Sequence, residues 1–252
     1  MLTAQLKNYK GTFLFKYQMS NDAKSITIHA RTKLSLASAK LSQAYYYQSL
    51  PFCIIDSIFS LGVKYGQVEK AVNHFSTRSQ WPTFREFESD FPKQDNQKKV
   101  SEFLDLFSKT KSPEIDLFCN RCYANPRARS GRILKAVLVG QFAEVLKSEK
   151  IETFQDLTAY DNYEALDNMI SCLPALKSKV AIRYFRMLAG DDQQVKPDRM
   201  ILRFIADAIG KNVDPDDAAL LIQDACDILK RTFPTLTPRL LDHEIWKYQR
   251  TK

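Results

Sequence analysis

Glycine is scarce in this chain, with 7 in 252 residues. So few freely left-handed positions argue against glycine-rich phosphate loops, propellers and Rossmann-type folds, and suit an all-helical protein. Cysteine is sparse and odd in number, at Cys53, Cys119, Cys122, Cys172 and Cys226. With no secretory leader this points to reduced thiols and a cytoplasmic location. Cys119-Asn-Arg-Cys122 is the one CxxC. A zinc site needs four ligands, and no second CxxC or HxxxH pair completes it, so packed or surface thiols and no cofactor are expected. Histidine is limited to His29, His74 and His243, scattered and without a Ser or Cys in triad-like context. Nucleophile–base hydrolase chemistry therefore has no support. Asp242-His243-Glu244 reads as a satisfied surface histidine rather than a metal site. No window approaches 18 uncharged apolar residues, and MLTAQLKNYK lacks a leader's apolar core, so neither a membrane span nor a signal peptide is expected.

What is present is a moderate positive charge. Lys+Arg number 37 against 29 Asp+Glu, a net +8, which favours a polyanionic partner without specifying one. Half of that excess falls in residues 177–203, where Lys177, Lys179, Arg183, Arg186, Lys196, Arg199 and Arg203 face Asp191, Asp192 and Asp198. In the helix predicted over Lys179–Leu188, Val180, Tyr184, Met187 and Leu188 form an apolar stripe. Lys179, Arg183 and Arg186 recur on another side at helical steps. A cationic face beside a helix N-terminus seats phosphates. Arg121, Arg127, Arg129, Arg132 and Lys135 form a second basic set, which reads either as an opposite wall or as solvated surface.

Read in order, Thr12–Tyr17 and Ser25–His29 are β-prone runs flanking Ser20-Asn21-Asp22-Ala23, so the chain opens on a short β-hairpin or an irregular arm. Leu34, Ala37, Leu41 and Tyr45 then recur at helical spacing up to Pro51. PFCIIDSIFSLGVKY predicts a strongly apolar central helix, and Gln67–Phe75 predicts another turn or two. Trp81-Pro82 marks a loop. Phe84–Phe91 and Asn96–Phe107 read as amphipathic helices, 108–128 as a broken basic connection, and Ser130–Leu146 as a long helix with Ile133, Val137, Phe142 and Val145 near one face. Thr153–Tyr160 adds a short helix. A helix from Ala165, a turn at Pro174, the basic helix, a polar loop and a helix opening at Asp198 follow. Asp214-Pro215-Asp216-Asp217 is a strong start signal, with a cap, Pro at the first position and acids in the first turn. Pro238–Arg250 is the final helix. The fold class is thus all-α, with about ten helices behind a short β arm.

Several segments, in order, resemble the helix-hairpin-helix DNA glycosylase superfamily of the endonuclease III type. They are PFCIIDSIFS at 51–60 with VEKAVN at 68–73, Leu173-Pro174-Ala175-Leu176-Lys177-Ser178-Lys179-Val180-Ala181 against the hairpin pattern L-P-G-V-G-x-K-T-A, and Val195-Lys196-Pro197-Asp198-Arg199 against the segment bearing the essential aspartate. The resemblance spans roughly 45–250. Both hairpin glycines are replaced, by Ala175 and Lys177. Gly62 and Val63 stand where a glutamine and a small polar residue commonly follow the early helix. The thiols of the iron–sulfur loop are absent, so the resemblance implies a cluster-free member.

It also implies a two-lobe fold: an arm over 1–44, a helical lobe over 45–190 containing the hairpin at about 165–189, and a C-terminal lobe over 191–252, with the cleft between the lobes. The implied partner is double-stranded DNA, held by Lys177, Ser178, Arg183, Arg186, Lys196 and Arg199. The implied activity is excision of a damaged or modified base after base flipping. Asp198 would stabilise the positive charge growing on the sugar, and as the residue opening a helix it also reads as an N-cap; the two roles are compatible. Lys179, 19 positions earlier, would attack the sugar carbon as a neutral amine and add lyase activity, or serve as a plain basic residue. Tyr45-Tyr46-Tyr47 offers stacking on a flipped base, although adjacent positions on a helix face different ways and at least one must be core. The alternative is a catalytically inactive helix-hairpin-helix module that binds DNA or protein.

Overall fold

The computed structural model describes residues 21–118, the backbone of 123–124, and 133–252. It is essentially all-helical. The chain divides into two compact units. One is continuous, Ser42–Gly190; the other joins the residues before Ser42 to Asp191–Lys252.

The continuous unit is built on helix α2, Leu50–Phe59, every residue of which is buried. Pro51 in its first turn is pre-set for helix and lacks an N–H that would go unsatisfied there. Helix α2 packs against α3 (Tyr65–Ser79), α6 (Lys135–Ser148) and α9 (Val180–Leu188). The intervening helices are α4 (Val100–Ser108), α5 (Pro113–Asp116), α7 (Phe154–Ala159) and α8 (Tyr163–Ser171). Phe52, Phe75, Phe103 and Phe118 form one aromatic core, with Phe75 within 5.7 Å of the other three ring centroids. A two-residue antiparallel pair, β1 Tyr123–Ala124 and β2 Ile133–Leu134, precedes α6.

Three expectations in this unit are corrected. Phe84–Phe91 is not helical: Gln48 and Arg85 amides donate across to Thr83 and Tyr46 carbonyls at 2.9 Å each. The Arg85 guanidinium lies over Phe91 and Tyr46 at 4.9 and 5.2 Å and donates to the Tyr47 carbonyl at 2.6 Å. These tertiary contacts outweigh a modest helical pattern. Helix α6 begins at Lys135, and Val137, expected to face inward, is 43% exposed. Lys135 itself, placed with the basic surface residues, is fully buried. Its ammonium donates to the Phe59 and Leu61 carbonyls at 2.8 and 2.6 Å, satisfying the orphan end of α2 with a cation where the helix dipole favours one. Arg121, Arg127, Arg129 and Arg132 lie outside the described residues, as do Cys119 and Cys122.

The other unit holds helix α1 over 21–33 with α10 (Arg199–Ile209), α11 (Pro215–Leu229) and α12 (Pro238–Arg250). Its core includes Ile26, Ala30, Phe204, Ile205, Ile222, Leu229, Leu241 and Ile245. Ser25–His29, read as a strand, is inside α1. Ala23, Ile26, Thr27 and Ala30 are its buried face, a 3–4 spacing that prevails over the local β-branched preference. The hydroxyls of Thr27 and Thr32 donate to carbonyls one turn back at 2.8 Å. Thr12–Tyr17 lies outside the described residues. The helical pattern expected through Leu34, Ala37, Leu41 and Tyr45 up to Pro51 is instead two 3-10 turns, Leu36–Ser38 and Gln43–Tyr45, before α2 opens at Leu50. The division between units at Leu41 and Ser42 falls between them, so Leu36 and Tyr45 are core residues of different units.

Candidate functional site

Helices α8 and α9 are joined by two tight turns. The Leu176 amide donates to the Leu173 carbonyl at 3.2 Å, and the Lys179 amide to the Leu176 carbonyl at 3.0 Å. In the first turn Pro174 occupies the position whose φ proline pre-sets, and Ala175 follows with φ +67°, the type II arrangement that normally selects glycine. Leu176 is 1% exposed and anchors the loop, whereas Lys177 and Ser178 are exposed. Lys179 is the N-cap of α9 in a left-handed conformation, φ +55°, and its side chain makes no cap bond. The opening amides of α9 thus lack a side-chain cap beside two exposed residues, at a helix end that favours anions.

The basic face of α9 is less open than its spacing implied. Tyr184, Met187 and Leu188 are buried as expected, with Ala181, Ile182 and Phe185, and Val180 is half-buried. Arg186 lies over the Tyr163 ring at 4.2 Å and approaches Asp167 at 3.5 Å. Both partners belong to α8, so this arginine ties the two hairpin helices together. Burial raises the Asp167 carboxyl, opposed by the nearby charges of Arg186, Lys179 and Arg183. Asp167 therefore sits inside the cationic group, and nothing in its helical position announced that neighbourhood.

Asp198 is the N-cap of α10, and its Oδ1 accepts the Met200 and Ile201 amides at 2.7 and 3.5 Å. The carboxylate is half-buried, and Arg199 beside it is exposed. One turn into α12, Asp242 is buried and its Oδ2 accepts the Lys196 amide at 2.8 Å. Burial pushes the Asp242 carboxyl well above its ordinary range, and the charge of Asp198 pushes it the same way. Two carboxyl groups thus act on one another here, the interior one favouring its neutral form. The sequence raises Asp242 only within Asp242-His243-Glu244 and gives it no role of its own, because its partner Lys196 is 46 positions away. His243, read as a surface residue, is buried instead, stacked against Trp246 at 5.8 Å, and burial lowers it to about 4.

Of the tyrosine triplet, Tyr45 and Tyr47 are buried. Tyr47 donates to Asp56 at 2.8 Å, and Tyr184 donates to the same oxygen at 3.4 Å. Burial, then the charge of Asp56, pushes both phenols well up. Tyr46 is half-buried against Phe87, with ring centroids 5.0 Å apart. Tyr45 and Tyr47 are thus committed to the core.

Lys177, Ser178, Lys179, Arg183 and Arg186 belong to the continuous unit; Lys196, Asp198 and Arg199 belong to the other. Cys53 and Cys226 are buried and Cys172 is exposed. Burial raises Cys226 to about 11, so it is an inert packed thiol. No group of three His, Cys, Asp or Glu among the described residues is arranged to hold a metal ion. No helix among them is long and apolar enough to cross a membrane.

These features define an essentially all-helical protein with a double-turn helical hairpin and a carboxylate-capped helix opening shortly after it. The chain belongs to the family described as "Domain of unknown function (DUF8548)", whose model matches residues 24–250. No curated protein and no solved structure matches it.

Proposed function

We propose that this protein binds double-stranded DNA through the α8–α9 hairpin and acts as an N-glycosylase that excises a damaged or modified base by base flipping, within a two-lobe helix-hairpin-helix fold. The observation that carries the reading is Ala175. An alanine held at φ +67° after Pro174, with Leu176 buried behind it, is the backbone of a glycine hairpin without the glycine. The uncapped opening of α9, with exposed Lys177 and Ser178 beside it, is suited to a DNA phosphate. Asp198, oriented by its own cap bonds, supplies the carboxylate that steadies positive charge on the sugar as the glycosidic bond breaks. Lys179 supplies the amine for Schiff-base formation and strand cleavage.

A second reading, a catalytically inactive module that binds DNA or protein, is favoured by the Lys177 side chain at a hairpin glycine position and by Asp167 among the cations of α9. Borohydride trapping on abasic and damaged duplexes separates the two. An adduct formed by the wild type and lost in Lys179→Gln supports lyase chemistry. Abasic product that survives Lys179→Gln and is lost in Asp198→Asn supports a simple glycosylase. Salt-dependent duplex binding with neither product across a broad lesion panel supports the inactive module, and absence of duplex binding rejects both DNA readings.

A further inference from the structure

The segment that presents Asp198 is held by a chain of contacts running back to α12, and all of it lies within one unit. The Asp198 amide donates to the Lys196 carbonyl at 2.6 Å across Pro197, which has no N–H of its own. On the same residue, the Lys196 amide donates to Oδ2 of Asp242 at 2.8 Å. Asp242 is 4% exposed and stands beside the fully buried Leu241 on a helix packed against α10. Beyond the turn, the Asp198 side chain caps α10 through Oδ1. Both cap bonds fall on that one oxygen, and Oδ2 has no hydrogen-bond partner among the described residues. A carboxylate arranged in this way has one oxygen used for orientation and the other available to a reacting group.

We propose that Asp242 is a positioning residue for Asp198: its buried carboxyl fixes the Lys196–Asp198 turn through the Lys196 amide, and so sets the direction of the Asp198 carboxylate. The catalytic part of this assignment rests on the reading of Asp198 given above; the mechanical part does not. An amide in a part-buried site left without its acceptor is disfavoured, so removing the Asp242 oxygen forces the turn to move toward water or another acceptor. The turn is short, and its middle residue is a proline with fixed φ. Movement at Lys196 is therefore transmitted to Asp198 and to the cap it forms. Burial of Asp242, which favours its neutral form, makes asparagine a close substitute: it keeps an acceptor oxygen and the volume.

Amide hydrogen exchange on the full chain tests the mechanical link. In Asp242→Val, which keeps the approximate volume and removes the acceptor, the Lys196 amide and the Met200 amide capped by Asp198 both exchange at least about tenfold faster, the loss expected for one part-buried hydrogen bond. In Asp242→Asn both stay within about threefold of wild type. Amides in the middle of α11 serve as the control for global opening. Should the valine variant not fold, Asp242→Ser gives the same test, because its shorter side chain does not reach the amide. Loss of protection at Lys196 with Met200 unchanged overturns the proposal, since the clamp then ends at its own bond. The catalytic part is read on any base-release substrate that Asp198→Asn silences: kcat falls in Asp242→Val with KM unchanged, and Asp242→Asn restores it. A kcat equal to wild type in Asp242→Val overturns that part. Exchange coupling in a protein that releases no base from any duplex leaves the positioning relation standing and removes the glycosylase reading.

Discussion

Ala175 and Lys179 both adopt left-handed backbone, at φ +67° and +55°; Ala175 lies inside the first of the two turns joining α8 to α9, and Lys179 closes the second. Neither is a residue type that prefers this region, which disfavours an L side chain by roughly 1–2 kcal/mol. Glycine at 175 relieves that strain while adding roughly 0.4–1 kcal/mol of unfolded-state entropy. Ala175→Gly is therefore expected to stabilise the protein by about 0.5–1 kcal/mol. The check is a urea titration in which the midpoint rises with the slope unchanged. A lower midpoint shows that Ala175 does not hold the backbone described.

Two other positive-φ positions separate backbone strain from collision. Gly190, at φ +99°, would place a Cβ 2.4 Å from Cζ of Phe91, whereas Gly210, at φ +72°, has nothing within 4 Å of the same added atom. Gly210→Ala is expected to cost about 1 kcal/mol, the backbone term alone. Gly190→Ala carries overpacking as well and is expected to cost about 2–4 kcal/mol. Thermal unfolding of the two variants side by side decides it; equal losses reject the steric account.

Arg186, Lys177 and Arg199, the first two in the continuous unit and the third in the other, should behave differently when substituted. Arg186 is engaged by Tyr163 and Asp167 inside the hairpin. Arg186→Ala is therefore expected to lower stability by about 1–2 kcal/mol through lost stacking and pairing in a half-buried site. Lys177 and Arg199 are exposed, and their alanine variants should leave stability unchanged within about 0.5 kcal/mol. If they contact phosphates, each reduces the slope of log affinity against log salt by about 0.9. Fluorescence anisotropy on a labelled duplex at several salt concentrations measures this. Unchanged slopes in both variants remove the hairpin from the DNA interface.

The helices legible in the sequence were those with strong local chemistry. The Asp214-Pro215 start, the Pro238–Arg250 helix and the strongly apolar segment Pro51–Phe59, broken only by Asp56-Ser57, required nothing beyond caps, proline and hydrophobicity. Asp198 as an N-cap was legible for the same reason. What failed depended on contacts distant along the chain. The Ile26–Ile28 run favours a strand until Phe204, Ile222 and Leu229 offer a core to one helical face. Residues 84–91 favour a helix until the 46–48 backbone takes their hydrogen bonds. Lys135 looks like a surface cation because no sequence window shows it the carbonyl end of α2. Asp167 and Asp242 receive no role from any local pattern because their charged or hydrogen-bonding neighbours lie far along the chain.

Asp242 and His243 are adjacent in α12, both buried, and should pull the acid stability curve in opposite directions. For His243 the folded value, lowered to about 4 by burial, lies below the ordinary 6.5. The unfolded chain thus binds the proton more readily, and stability present above pH 6.5 is lost as pH falls toward 4. The gap corresponds to about 3 kcal/mol at most. For Asp242 the folded value is raised above the ordinary 3.8, so the native state holds the proton more tightly. Its contribution is fully present below 3.8 and is lost as pH rises through the folded value. Between pH 4 and 6.5 the two slopes oppose each other. Asp242→Asn should therefore steepen the loss of stability on acidification, and His243→Gln should flatten or reverse it. Urea midpoints at half-unit pH steps, measured for each variant, read the two signs independently. A His243→Gln curve parallel to wild type across that window would show that the imidazole is not held neutral by burial.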